Sequence, residues 1–184
     1  MPTLILDPPP AGLEELLEQR RRMGGDRHDE VWEGVYHMVP GPNAPHSFVA
    51  QQLAVLLDAP ARAAGLHVGM EFNVGLDKDN YRVPDLGVHR ERRSGVWVPT
   101  AAIVIEILSP TDEAWQKLPF YAERGVDELL FVDPAERSVA WLALLADRSS
   151  PRSSIGGEYR PVDRSHLIDL GASELAERID WPPE

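Results

Sequence analysis

The sequence predicts one α/β domain. Three observations predict it. Ala101 to Leu108 is a nearly pure apolar run of the kind found in a strand covered on both faces. Two stretches, one carrying Leu13, Leu16, Leu17 and Met23 and the other Val49, Leu53, Leu56 and Leu57, repeat apolar residues at helical spacing. Several shorter runs rich in β-branched and aromatic residues are bounded by turn formers. A chain of 184 residues that is 43% apolar supports one ordinary core and not two comfortable ones. The whole of 1–184 therefore reads as one domain, with 1–27 as an N-terminal helical extension and 147–184 as a C-terminal extension.

Residues 11 to 24 form the first helix, stopped by Gly24 and Gly25. Val31, Trp32, Val35, Tyr36 and Met38 make two short antiparallel strands about a tight turn at Glu33-Gly34. A turn-rich stretch from Pro40 to Pro45 leads to His46 and a second helix, disturbed near Pro60. Leu66 to Leu76 and Tyr81 to His89 read as two strands separated by Asp77, Lys78, Asp79 and Asn80. Ala101 to Leu108 belongs at the centre of the sheet. Asp112 to Arg124 is helical, made irregular by Trp115 and Pro119 and stopped by Gly125. Strands follow at Glu128 to Val132 and Ser138 to Leu145, then a polar loop at 147–157, a short strand near Leu167 to Leu170, and a last helix from Ser173 to Arg178.

Composition excludes several classes. With no cysteine, neither disulfides nor thiolate metal sites are available, so any metal must be held by oxygen or imidazole, and a reducing cytoplasm is the expected compartment. The N-terminus lacks the marks of a signal peptide, and no run approaches the roughly 20 apolar residues of a membrane helix. A net charge of −12 argues against broad adhesion to nucleic acid through phosphate neutralisation. Arg20, Arg21 and Arg22, or Arg90, Arg92 and Arg93, could still form a local basic patch, or simply a solvated surface. The five tryptophans, Trp32, Trp97, Trp115, Trp141 and Trp181, are dispersed and form no evident stacking platform, and most of them read as core or edge packing.

Glu106 is the most informative residue, because it breaks the apolar run of a strand that should be buried. A buried carboxylate must be paired with a cation, hydrogen-bonded or bound to a metal. Asp85 is a second lone carboxylate in an apolar strand, 106 − 85 = 21 residues away, with Pro84 marking a bulge or an edge. Two facing carboxylates repel unless a positive charge lies between them, and Mg²⁺ or Mn²⁺ suits an oxygen site of that kind. Lys117 would complete a hydrolytic set as a point charge that orients water or offsets charge on a phosphate; the plainer reading is a surface lysine. Lysine is scarce here: only Lys78 and Lys117 accompany the arginines.

Pro84-Asp85, then Ile105-Glu106-Ile107-Leu108-Ser109-Pro110, then Lys117, Tyr121, Gly125-Val126 and Val132-Asp133-Pro134 together resemble the Uma-two family of restriction-endonuclease-like proteins. That family is similar to the PD-(D/E)XK nuclease superfamily. The resemblance spans roughly residues 28 to 145 and implies a mixed sheet with metal-binding acids on adjacent strands. The superfamily's lysine two residues after the glutamate is Leu108 here, which implies that Lys117 on the following element replaces it. Glu33 matches the family pattern for an assisting N-terminal acid, against the alternative of an exposed turn residue. His46 could contact phosphate or carry a proton, or merely start a helix. Glu71 is a distant candidate, more simply a solvent-facing strand residue.

The expected function is a Mg²⁺-dependent endonuclease that hydrolyses phosphodiester bonds of DNA, with Asp85 and Glu106 as metal ligands. The alternatives are a nuclease fold kept as a nucleic-acid or protein-binding module without turnover, and a hydrolase of small phosphoesters. A homodimer is expected because twofold pairs are the commonest assemblies.

Overall fold

The computed structural model describes residues 3–7, 10–92, 94–109, 113–145 and 157–183. Pro8, Pro9, Arg93, Pro110, Asp112 and the polar loop from 147 to 156 lie outside the described residues. In chain order the first half comprises β1 (Leu4–Leu6), α1 (Leu13–Arg22), β2 (Glu30–Trp32), β3 (Val35–Met38), α2 (Ala44–Ala63), β4 (His67–Met70), β5 (Asn73–Gly75), β6 (Tyr81–Arg82) and β7 (Leu86–His89). The second half comprises β8 (Trp97–Val98), β9 (Ile103–Ile107), a 3₁₀ turn (Ala114–Lys117), α3 (Leu118–Glu123), β10 (Glu128–Asp133), β11 (Ser138–Leu145), β12 (Glu158–Val162) and α4 (Ala172–Arg178).

The strands form two mixed sheets, ordered β1-β3-β2-β6-β5-β8 and β12-β11-β10-β9-β7-β4. In the second, β9 pairs antiparallel with β7 and parallel with β10. The expectation of a mixed sheet with the Ala101 to Leu108 run inside it therefore holds. A parallel pair cannot be closed by a tight turn, so the chain must cross over between β9 and β10, and the crossover carries the 3₁₀ turn and α3. Side chains of β9 alternate between its two faces. Ile103, Ile105 and Ile107 join Val49, Leu53 and Leu57 of α2 in one core, whereas Val104 packs with Phe120 and Tyr121 of α3 in the other. Glu106 thus faces α3.

The strands expected at Leu66 to Leu76 and Tyr81 to His89 are each two strands, one in each sheet. Glu71, with φ 52°, turns the chain from β4 to β5, and Val83-Pro84-Asp85 carries it from β6 to β7. Pro84 has no amide hydrogen to offer a ladder, which suits a passage between sheets. The hairpin of β2 and β3 is as expected: Glu33 (φ 47°) and Gly34 (φ 88°) supply the two positive angles that a two-residue connection of this twist requires.

Three further expectations are corrected. Helix α2 continues through Pro60 to Ala63, with Asn43 capping its start. The irregular helix expected around Trp115 and Pro119 is seen as a 3₁₀ turn followed by α3, but Pro119 removes no interior helical bond, since it lies in the first turn of α3, where no intrahelical partner for its nitrogen is needed. No named strand forms at Leu167 to Leu170. Ile168 and Leu170 enter the core from a turn held by Ser165 and Glu128, and the strand of this region is β12. Leu175 and Ile179 also enter that core, so residues assigned to a C-terminal extension help to fill it. Among the described residues no helix is long and apolar enough to cross a membrane.

Candidate active site

The alternation along β9 aims Glu106 at the crossover, where it is 5% exposed. The 3₁₀ turn brings Lys117 over the same face, 8% exposed, with its ammonium 3.2 and 3.3 Å from the two Glu106 oxygens. Four residues on, one helical turn away, the Tyr121 hydroxyl donates to Glu106 Oε1 at 2.5 Å. The first sheet adds Glu30, 3% exposed, whose Oε1 is 2.9 Å from the Lys117 ammonium. Both oxygens of that carboxylate are fixed, since Val83 N also donates to Oε1, at 2.8 Å, and Trp32 Nε1 to Oε2 at 2.7 Å. One ammonium therefore joins an acid from each sheet.

Asp85 precedes β7, and its Oδ2 accepts from the amide of Ile107, next to Glu106, at 2.7 Å. Its Oδ1 lies 3.2 Å from Nε2 of His46, placed there by the first turn of α2, where Asn43 accepts from the His46 amide. The structure thus brings together Asp85, Glu106, Lys117 and His46 of the residues singled out in the sequence. It does not bring Glu33 to them. The Glu33 side chain is 72% exposed at the hairpin tip, 3.4 Å from Arg82, and the acid of this hairpin that reaches Lys117 is Glu30. Glu71 is exposed in the turn after β4, away from the cluster and not in a strand.

Arg82 locks the scaffold. Its buried guanidinium lies 4.4 Å from the Trp32 ring and 4.1 Å from Phe120, joining the hairpin to α3, while it donates to Val31 O at 2.9 Å. Beside Glu30, its register partner His37 stacks on Trp32 with centroids 4.2 Å apart and meets Glu113 through Nδ1 at 3.3 Å. Glu30, Tyr121 and His37 were not singled out as site residues. Glu30 sits among Asp29, Val31 and Trp32 in a strand too short for alternation to mark its buried face, and only the pairing of sheets shows what it meets.

Two carboxylates share one ammonium, and a third, Asp85, is bonded to the amide next to Glu106. Burial pushes the Glu106 carboxyl up to about 8 against the pull of Lys117, with Asp85 and Glu30 adding to the rise. Burial alone would depress Lys117, but Glu106 and Glu30 outweigh it and hold its charge above the ordinary lysine range. Burial, then Glu106, raises Tyr121, which stays a hydrogen-bond donor. The excess negative charge and all-oxygen donor chemistry of Asp85 and Glu106 fit a hard dication. Among the described residues no group of three His, Cys, Asp or Glu is placed to hold a metal, so the protein's share would be this pair, with water and phosphate completing the shell.

The fold thus sets one carboxylate from each sheet, Glu30 and Glu106, against a single buried lysine. The chain belongs to the Uma2 family, described as "Putative restriction endonuclease", whose model matches residues 13–171. The fold is similar to the crystal structure of a protein from Anabaena variabilis ATCC 29413 described as a "putative nuclease belonging to DUF820", at a TM-score of 0.59 and 16% identity over 82% of this chain and 90% of that one. No curated protein matches the chain.

Proposed function

We propose that this protein is a Mg²⁺-dependent endonuclease acting on phosphodiester bonds of DNA, with Asp85 and Glu106 as metal ligands and Lys117 as the cation that meets the scissile phosphate. The observation that carries the reading is the seating of the Lys117 ammonium between Glu30 and Glu106, with Asp85 bonded to the amide next to Glu106, in a chain of this family. When bound, the ion supplies Lewis acidity and a more acidic water. The protein's residues do the rest. Lys117 offsets negative charge on the phosphate oxygens, and Glu30 holds it in place. Tyr121 fixes the orientation of Glu106, while the Ile107 amide and His46 fix that of Asp85 from opposite oxygens. Hydrolysis adds water across a P–O bond, and the departing oxygen takes up a proton. Lys117 also stands where a strand lysine is absent, since Leu108 occupies the position two after Glu106.

Supercoiled plasmid and circular single-stranded DNA incubated with Mn²⁺ test this. Wild type converts circles to linear or nicked products, and Asp85→Ala and Glu106→Ala do not. Equal cleavage by the variants and wild type would overturn the assignment. A second reading, a nuclease fold that binds without turnover, is favoured by the engagement of Lys117 with two carboxylates. Metal-dependent cleavage that disappears in Lys117→Ala eliminates it.

A further inference from the structure

We infer that Trp115 is a base-stacking platform beside the carboxylate site, and that the preferred substrate is single-stranded rather than duplex nucleic acid; this rests on the hydrolase reading above.

Trp115 belongs to the same 3₁₀ turn as Lys117. One face of its indole covers Phe131, with centroids 4.1 Å apart and planes 27° from parallel. Phe131 is the β10 register partner of Glu106 in β9, so their side chains leave the sheet on one face, from strands about 4.8 Å apart. The indole therefore sits one strand over from the buried glutamate. Half of Trp115 is nevertheless open, 50% exposed, whereas Trp141 in the core is 1% exposed. Packing accounts for the covered face and leaves the other for a ligand with a flat π surface, which every nucleobase has.

Electrostatics select the strand state. A duplex carries one negative charge per about 1.7 Å of axis and is gripped by uncommitted Lys and Arg. The chain has a net charge of −12, and four cations on the elements that build or flank the site are already engaged, with Arg21 and Arg22 left exposed on α1. Lys117 is held by Glu30 and Glu106, Arg20 by Asp29, Arg82 lies buried between Trp32 and Phe120, and Arg124 pairs with Glu123. Stacking provides affinity without cations, but only to bases freed from a double helix.

The test uses the full chain without divalent metal and a short oligothymidylate as probe. Binding is read by fluorescence anisotropy of a labelled strand and by tryptophan emission, comparing wild type, Trp115→Phe and Trp115→Ala. Wild type is expected to bind the single strand more tightly than a duplex of equal length, with emission quenched. Trp115→Ala is expected to lose about 5- to 150-fold in affinity, and Trp115→Phe to keep most of the affinity while losing the quench. Thermal melts by circular dichroism show that both variants are folded. Equal affinity of Trp115→Ala and wild type, tighter binding of duplex, or no binding of oligothymidylate would each overturn the inference. Cleavage of circular DNA with Mn²⁺ is measured in parallel. If wild type cuts while Trp115 proves irrelevant to binding, the stacking platform falls and the hydrolase reading stands. If binding depends on Trp115 but nothing is cut, stacking stands and catalysis falls.

Discussion

Replacing Lys117 by methionine isolates the energetics of the buried charge cluster. Methionine keeps the apolar stem, so little volume is lost, but the ammonium that lies 2.9 Å from Glu30 and 3.2 Å from Glu106 is gone. Removing one partner of a buried pair leaves uncompensated charge and costs about 3–5 kcal/mol. For a chain of this size, with about 2–4 °C per kcal/mol, that lowers Tm by roughly 6–20 °C. The cost depends on pH. The Glu106 carboxyl is raised in the fold to about 8, above its ordinary 4.5, so the fold disfavours its ionised form. Its contribution is complete below about 4.5 and is lost as pH rises through 8. Without Lys117 the attraction opposing that rise is absent. The carboxyl moves further up, and the deficit relative to wild type is larger at alkaline than at mildly acidic pH. Urea unfolding followed by far-ultraviolet circular dichroism on both sides of neutrality measures this. The double variant Lys117→Met/Glu106→Gln should recover part of the loss, because the amide removes one uncompensated charge. A Lys117→Met stability within about 1 kcal/mol of wild type at alkaline pH, well below the buried-pair range, would refute the claim that this ammonium neutralises a buried carboxylate cluster.

Two other outcomes test separate parts of the structure. Calorimetric titration with Mn²⁺ should show saturable binding to wild type that Asp85→Ala abolishes; unchanged binding by the variant would place any metal elsewhere. Glu128→Ala should destabilise the fold by about 3 kcal/mol or more without touching the site, because this buried carboxylate accepts from Trp141 Nε1, Ser165 Oγ and His166 N at 2.6–2.7 Å. A denaturation midpoint equal to wild type would show that those bonds do not anchor the C-terminal segment.

Elements with a long, one-sided signal were legible from the sequence. The stripes of α1 and α2, the positive-φ hairpin turn at Glu33-Gly34 and the apolar run of β9 each encode their structure within a few neighbouring residues. A carboxylate inside that run announces a buried charge, and so Glu106 could be named before any partner was known. The strand splits at Glu71 and at Pro84-Asp85 were not legible, because period-two alternation looks the same whether a chain stays in one sheet or passes to the next. The same limit explains Glu33 and Glu30. Both lie in one hairpin, and the family resemblance favoured the acid at the turn. Which of them meets Lys117 depends on the pairing of β2 with β6, which sets Glu30 against the Val83 amide. Ile168 and Leu170 misled in the opposite direction, since a turn tied to Glu128 buries apolar residues as well as a strand does. By itself, then, the sequence determined the fold class and the buried strand carboxylate, because burial is written in local apolar pattern. Only the tertiary structure decided which acid completes the cluster and which tryptophan stays open, because both depend on contacts between strands and turns distant in the chain.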